Sequence, residues 1–239
     1  MLQLVVAWLG AVAFAGSLAY FLFTFFVTFG GTGGPDSAGS GFAPASIDVA
    51  LFSAFALHHS LFARSGLKHW VSATIPPPLE RAAYTWIASA LFILVCAAWR
   101  PVRGVLYSIP EPWSWIGYAA QAAGILFTFF GARSLDVLDL AGVRQVMRSQ
   151  QTTSEVSTHV ALQTDGVYGV VRHPLYFGWV LLVFGAPHMS ADRFIFAVVS
   201  TLYIAVAIPF EERGLDDTFG ADYARYRKRV RWRMVPGLY

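Results

Sequence analysis

"RHPLYFGWVLLVFGAPHMSADRFIFAVVSTLYIAVAIPFEER", residues 172–213, decides the fold. It holds two apolar runs, 175–188 and 193–210, around the turn-forming "PHMSADR". The second run carries no charge between Arg193 and Glu211. An apolar run of about 18 residues reads as a membrane helix. Continuous rather than alternating apolarity reads as helix, not barrel strand. The two runs predict a helical hairpin, the first of them short for a full crossing. Arg-His-Pro opens the hairpin and Glu211-Glu212 closes it. Charged groups at the edge of a bilayer are costly unless paired or functional.

Outward from this stretch, four more runs read as spans: 4–29, 47–63, 80–99 and 113–131. The expectation is an all-α integral membrane protein of about six helices. Composition agrees. The 239 residues are 56% hydrophobic and only 13% charged, with mean hydropathy +0.54, where a soluble domain carries about a quarter charged residues. No charged side chain precedes Asp36, so the first run reads as a retained span rather than a removed leader. Cys96 stands alone in an apolar run and has no partner for a disulfide.

Basic residues set the orientation. The 30–46 loop has none. Arg64 and Lys68, then Arg133, Arg144, Arg148 and Arg172, then Arg213 and the cluster Arg225 to Arg233 fall on one side. Both termini are expected to be cytoplasmic, in a bacterial inner membrane, with the polar chemistry on that side. The tail, 211–239, reads as a basic amphipathic helix against the bilayer, and the pI near 9.1 therefore does not imply nucleic acid. The domain reading is a four-span region, 1–131, and a functional region, 132–239. No obligate protein partner is implied, and no spacing reads as a metal site.

Pro174 suits the first turn of a helix. The free N–H groups there, with Arg172, suit a carboxylate or phosphate; a lipid headgroup fits as well. Gly166 and Gly169 let backbone approach a ligand closely. Glu211 and Glu212 point about 100° apart on a helix, so one is expected to meet a ligand and the other to pair with Arg172. Phe219, Tyr223, Tyr226 and Val230 recur at spacings of three and four and read as packing. In the N-terminal region, His58, His59 and Ser60 lie in an apolar setting, as core or as site. Asp139 and Arg144 read as an ion pair or as acceptor-side residues.

The pattern Gly-x-Tyr-x-x-x-Arg-His-Pro-x-Tyr-x-Gly, then Glu-Glu-x-x-Leu-x-x-x-Phe-Gly-x-x-Tyr-x-x-Tyr, lies within 166–230. It resembles the superfamily of isoprenylcysteine carboxyl methyltransferase and phospholipid N-methyltransferase. The resemblance implies an S-adenosylmethionine site built from Gly166, Tyr168, Arg172, His173, Pro174, Tyr176, Gly178, Glu211 and Glu212. "FALHHSLFARSGLKHW", "PPPLERAAYTWIASALFILVCAAWRP" and "LDLAGVRQV" resemble the branch that holds methanethiol S-methyltransferase. That branch commonly has a His two places before the acid of the last motif; here the position is Val137. The implied activity is S-methylation of a small thiol, methanethiol to dimethyl sulfide. His59, His173, Asp139 and Arg144 are the candidates for activating the thiol. A lipid or isoprenoid acceptor, or a haem-binding carotenoid isomerase using His58, His59, His173 or His188, are the alternatives.

Overall fold

The structure is a computed structural model and describes residues 1–31, 42–62, 75–133, 137–150 and 161–239. Expectations for most of the 30–46 loop, and for Arg64 and Lys68, lie outside the described residues.

Helix α1, Leu2–Gly31, is interrupted by one π turn at Thr24–Thr28. Helix α2 is Phe42–Phe62. Pro76 to Pro78 block helix, and α3 starts beyond them, Glu80–Ala98, after a 3₁₀ turn at Pro77–Leu79. Helix α4 is Ser114–Arg133; two short helices follow, α5 (Val137–Leu140) and α6 (Val143–Ser149). Then come α7 (Pro174–Phe184), α8 (Ala191–Phe219) and α9 (Ala221–Arg229). Among the described residues, four helical stretches are long and apolar enough to cross a membrane: Leu2–Gly31, Pro77–Ala98, Ser114–Arg133 and Ala191–Phe219. The chain is a multi-pass helical membrane protein.

Of the six expected spans, these four are long and apolar enough to cross among the described residues, and the short run ends in an unexpected way. The run 175–188 yields only the 11 residues of α7, a rise of about 16 Å against a hydrocarbon core of about 30 Å; α7 does not cross by itself. The chain beyond it leaves helix at Gly185 and forms β2, His188–Ser190, paired with β1, Val105–Ser108. Strands of three and four residues are too short to give a periodic signal in sequence.

The described residues of 1–104, 136–155 and 190–192 form one unit, and those of 105–135, 156–189 and 193–239 form another. In the first, α1 packs on α3 through small residues. Ala7, Ala82, Ala141, Val143 and Val146 make one buried cluster there, and Trp86 Nε1 donates to the Val6 carbonyl at 3.1 Å. Two buried carboxylates hold the chain leaving α3. Asp48 accepts from the Arg100 N–H at 2.7 Å, and Asp192 accepts from Trp99 Nε1 at 2.9 Å and the Val102 N–H at 3.0 Å.

In the second unit α4 and α7 meet backbone to backbone. A Cβ on Gly124 would stand 2.5 Å from the Gly178 carbonyl, and one on Gly178 would stand 2.5 Å from Thr128 Oγ1. Such close approach is how small residues join membrane helices where lipid offers no hydrophobic drive. Along α8, Trp179 Nε1 donates to Ser200 Oγ at 2.9 Å. Pro209 sits inside α8 and has no N–H for the carbonyl four residues back, Ala205. The Tyr239 hydroxyl donates to that carbonyl at 3.3 Å. Gly220, at φ +50°, turns the chain from α8 into α9. Tyr223, Tyr226 and Val230 then pack with Leu162, Leu215 and Phe219, as their spacing predicted.

Candidate active site

The Arg-His-Pro entry and the Glu-Glu exit meet within the second unit. Pro174 opens α7 and His173 is its N-cap residue. The two residues before the proline are extended enough to pair with the chain beyond α9: the N–H of Arg172 donates to the Trp232 carbonyl at 2.9 Å, and that of His173 to the Arg233 carbonyl at 2.8 Å. Arg172 turns inward. Its Nε donates to Glu212 Oε1 at 2.7 Å, and its Nη1 donates to the carbonyls of Val230 and Arg231 at 2.8 Å each. Glu212 Oε2 accepts from Arg233 Nε at 3.0 Å. A buried charge is tolerable when paired and hydrogen-bonded in this way.

One residue earlier on α8, Glu211 points elsewhere. Its side chain is 46% exposed, against 5% for Glu212. Tyr176 Oη donates to Glu211 Oε2 at 3.0 Å. The buried His173 ring stacks on Tyr176 at 5.4 Å and 10°. Its Nδ1 lies 3.5 Å from Glu211 Oε2 and its Nε2 lies 3.5 Å from Glu212 Oε1. The imidazole thus separates an inner carboxylate, with both oxygens hydrogen-bonded, from an outer, half-exposed one.

Tyr168 is buried. Its hydroxyl donates to the Gly131 carbonyl at 3.4 Å, and its own carbonyl accepts from Tyr226 Oη at 2.8 Å. Burial, and then the Glu211 charge, push its phenol up to about 12. Gly166 has φ +62°, a left-handed conformation that a side chain would strain. Gly178 lies in the α4–α7 contact.

The other candidates lie in the first unit. His59 Nδ1 is hydrogen-bonded to Tyr84 Oη, and His58 stacks on Tyr84 at 5.7 Å and 10°. Asp139 is held by Arg81, three residues before Tyr84 on α3, and by Arg148 Nη1 at 3.1 Å. Arg144 is exposed on α6. Its neighbour Gln145 ties α6 to the start of α3, donating to the Pro77 carbonyl at 2.9 Å. Sequence reading missed Tyr84, Arg81 and Arg233. Arg233 looked like one more member of a basic run, and Tyr84 like one more aromatic in a span.

A family model described as phospholipid methyltransferase matches residues 113–222. Methanethiol S-methyltransferase 2 of Bradyrhizobium diazoefficiens is 34% identical over 193 residues, 81% of this chain and 73% of that protein. The chain belongs to the phospholipid methyltransferase family, in the branch of the methanethiol S-methyltransferases. The methanethiol S-methyltransferase of Crocosphaera subtropica is 35% identical over 77% of this chain and 72% of its own length. That of Mycobacterium tuberculosis is 32% identical over 77% of this chain and 75% of its own length. No solved structure matches the chain. As a member of this family the protein is a membrane methyltransferase, which leaves the haem-binding reading without support. The matched 113–222 takes in α4, α7 and the carboxylate doublet; Arg233 lies beyond it.

Proposed function

We propose that this methyltransferase takes its methyl group from S-adenosylmethionine and places it on a small thiol, methanethiol, giving dimethyl sulfide. The observation that supports the donor is Glu211: a half-exposed carboxylate, beside the Tyr176 phenol and over the buried Arg172–Glu212 pair. An acid, an aromatic face and a nearby guanidinium suit a nucleoside with an amino-acid end and a positive sulfur. Support for the acceptor comes from the relatives' names, since the similarity runs over most of the chain and not only over the family-matched 113–222. The excess of Lys and Arg in the 132–172 segment and the tail supports a cytoplasmic site in a bacterial inner membrane.

When bound, S-adenosylmethionine supplies an electrophilic methyl on a positively charged sulfur. The chain's residues supply the rest. Glu211 and Tyr176 hold the donor, and Pro174 and Gly166 set the backbone around it. His173 has both ring nitrogens turned to carboxylates and keeps Glu211 in place. Methanethiol is a poor nucleophile until deprotonated. We assign its proton to Nε2 of His59, with Nδ1–H donating to Tyr84. Asp139 acts through Arg81 at the start of α3, and Asp139 and Arg144 shape the acceptor side.

The test is headspace gas chromatography on purified protein mixed with S-adenosylmethionine and methanethiol. Dimethyl sulfide above the protein-free rate is the expected result. A parallel reaction offers a phospholipid, phosphatidylethanolamine, because the matching family model is described as phospholipid methyltransferase. Methylated lipid without dimethyl sulfide would replace the thiol with a lipid acceptor.

A further inference from the structure

The site holds two pairs of opposite charge, and the two differ in what they leave over. Arg172 and Glu212 are the inner pair, with side chains 4% and 5% exposed. Arg172 gives Nε to Glu212 and Nη1 to the carbonyls of Val230 and Arg231, and its burial keeps the guanidinium away from solvent. Glu212 spends both oxygens, one on Arg172 and one on Arg233. This pair ties the α7 mouth to the chain beyond α9 and lies almost wholly out of solvent.

The outer pair is Glu211 and Arg233, at 46% and 36% exposure. Both attach to the inner pair: Glu211 through His173, Arg233 directly through Glu212. Arg233 is held at two of its three nitrogens. Its Nε bonds Glu212, its Nη1 donates to Tyr239 Oη at 3.2 Å, and its Cζ lies 5.2 Å from the centre of the Tyr239 ring. Its Nη2 has no hydrogen bond among the described residues. Nearby basic side chains are differently committed. Arg227 Nη1 donates to Asp216 at 3.0 Å, and Arg229 Nη2 to the Thr164 carbonyl at 3.1 Å.

The amino-acid end of S-adenosylmethionine carries one ammonium and one carboxylate on the same carbon. Accepting the reading under Proposed function, we infer that this end is read by the outer pair: Glu211 takes the ammonium and Arg233 the carboxylate, while Arg172 stays behind as scaffold. The four protein charges sum to zero before binding, and the zwitterionic end adds none. A guanidinium fixed at two nitrogens, with the N–H groups of the third left over, is pre-organised to give them to a carboxylate.

Decarboxylated S-adenosylmethionine tests this, because it keeps every part of the donor except the carboxylate. Calorimetry on the detergent-solubilised full chain gives the affinity for both compounds. For the wild type, S-adenosylmethionine is expected to bind about 10- to 100-fold tighter, the worth of a charge-assisted hydrogen bond. In Arg233→Gln that preference should collapse: the natural donor weakens by about the same factor and the decarboxylated compound binds as before. Arg233→Lys, which keeps a charge beside Glu212, should recover part of the preference. Unchanged affinity for S-adenosylmethionine in Arg233→Gln overturns the assignment. So does an equal loss for both compounds, which would make Arg233 a prop for Glu212. A wild type that binds neither compound overturns the donor reading itself, and the assignment with it.

Discussion

Arg172 Nε and Glu212 Oε1 lie 2.7 Å apart, with both side chains almost wholly out of solvent. The pair joins the start of α7 to the end of α8, segments 40 residues apart in the chain. Removing one partner strands the other as a buried charge, which costs about 3–5 kcal/mol. Glu212→Ala is therefore expected to lower the thermal midpoint of the purified protein sharply. A midpoint within a degree or two of the wild type would show the pair to be idle.

Glu211→Ala should behave in the opposite way. Its carboxylate is half-exposed and its bond to Tyr176 lies at the surface. Stability should stay within about 0.5 kcal/mol, while calorimetry shows affinity for S-adenosylmethionine lost. Retained affinity would remove Glu211 from the donor site.

His59→Ala separates chemistry from binding. The expected outcome is unchanged calorimetric affinity for S-adenosylmethionine and a turnover on methanethiol lower by roughly 10²- to 10⁴-fold, the usual worth of a general base. Equal turnover at every pH would leave His59 as a packing residue against Tyr84.

Alkaline pH should unfold the second unit early. The Tyr168 phenol is raised to about 12, by burial first and by Glu211 second. Tyr226 is raised as well, chiefly by burial. Their stabilisation is whole below the unfolded phenol value of about 10 and is lost as pH rises through the folded value, because the unfolded chain releases its proton first. The difference in melting temperature between wild type and Tyr168→Phe should therefore be constant below pH 10 and change toward pH 12, with the wild type falling faster. Parallel curves would count against the burial.

Much of this was legible in the sequence, for identifiable reasons. Uninterrupted apolar runs announce membrane helices because the bilayer admits little else. The Arg-His-Pro and Glu-Glu motifs could be paired in advance because adjacent helix positions cannot do the same job. The short β pairing of 105–108 with 188–190 was not legible, because it depends on partners 80 residues apart. The place of Gly178 was also hidden. The resemblance implies a cofactor residue there, and the sequence alone does not show that its backbone meets Gly124 and Thr128 on α4. Arg233 could not be picked from its basic neighbours, since only the fold decides which cation reaches Glu212.

Pro209 shows how a flaw in one helix can serve another segment. By failing to bond Ala205, it leaves an acceptor inside α8 that the Tyr239 hydroxyl fills, and Tyr239 in turn steadies Arg233. Pro209→Ala would mend the ladder and give that carbonyl a competing donor. The helix would gain regularity just as the guanidinium lost its anchor, so the variant should melt later yet grip its ligand less well.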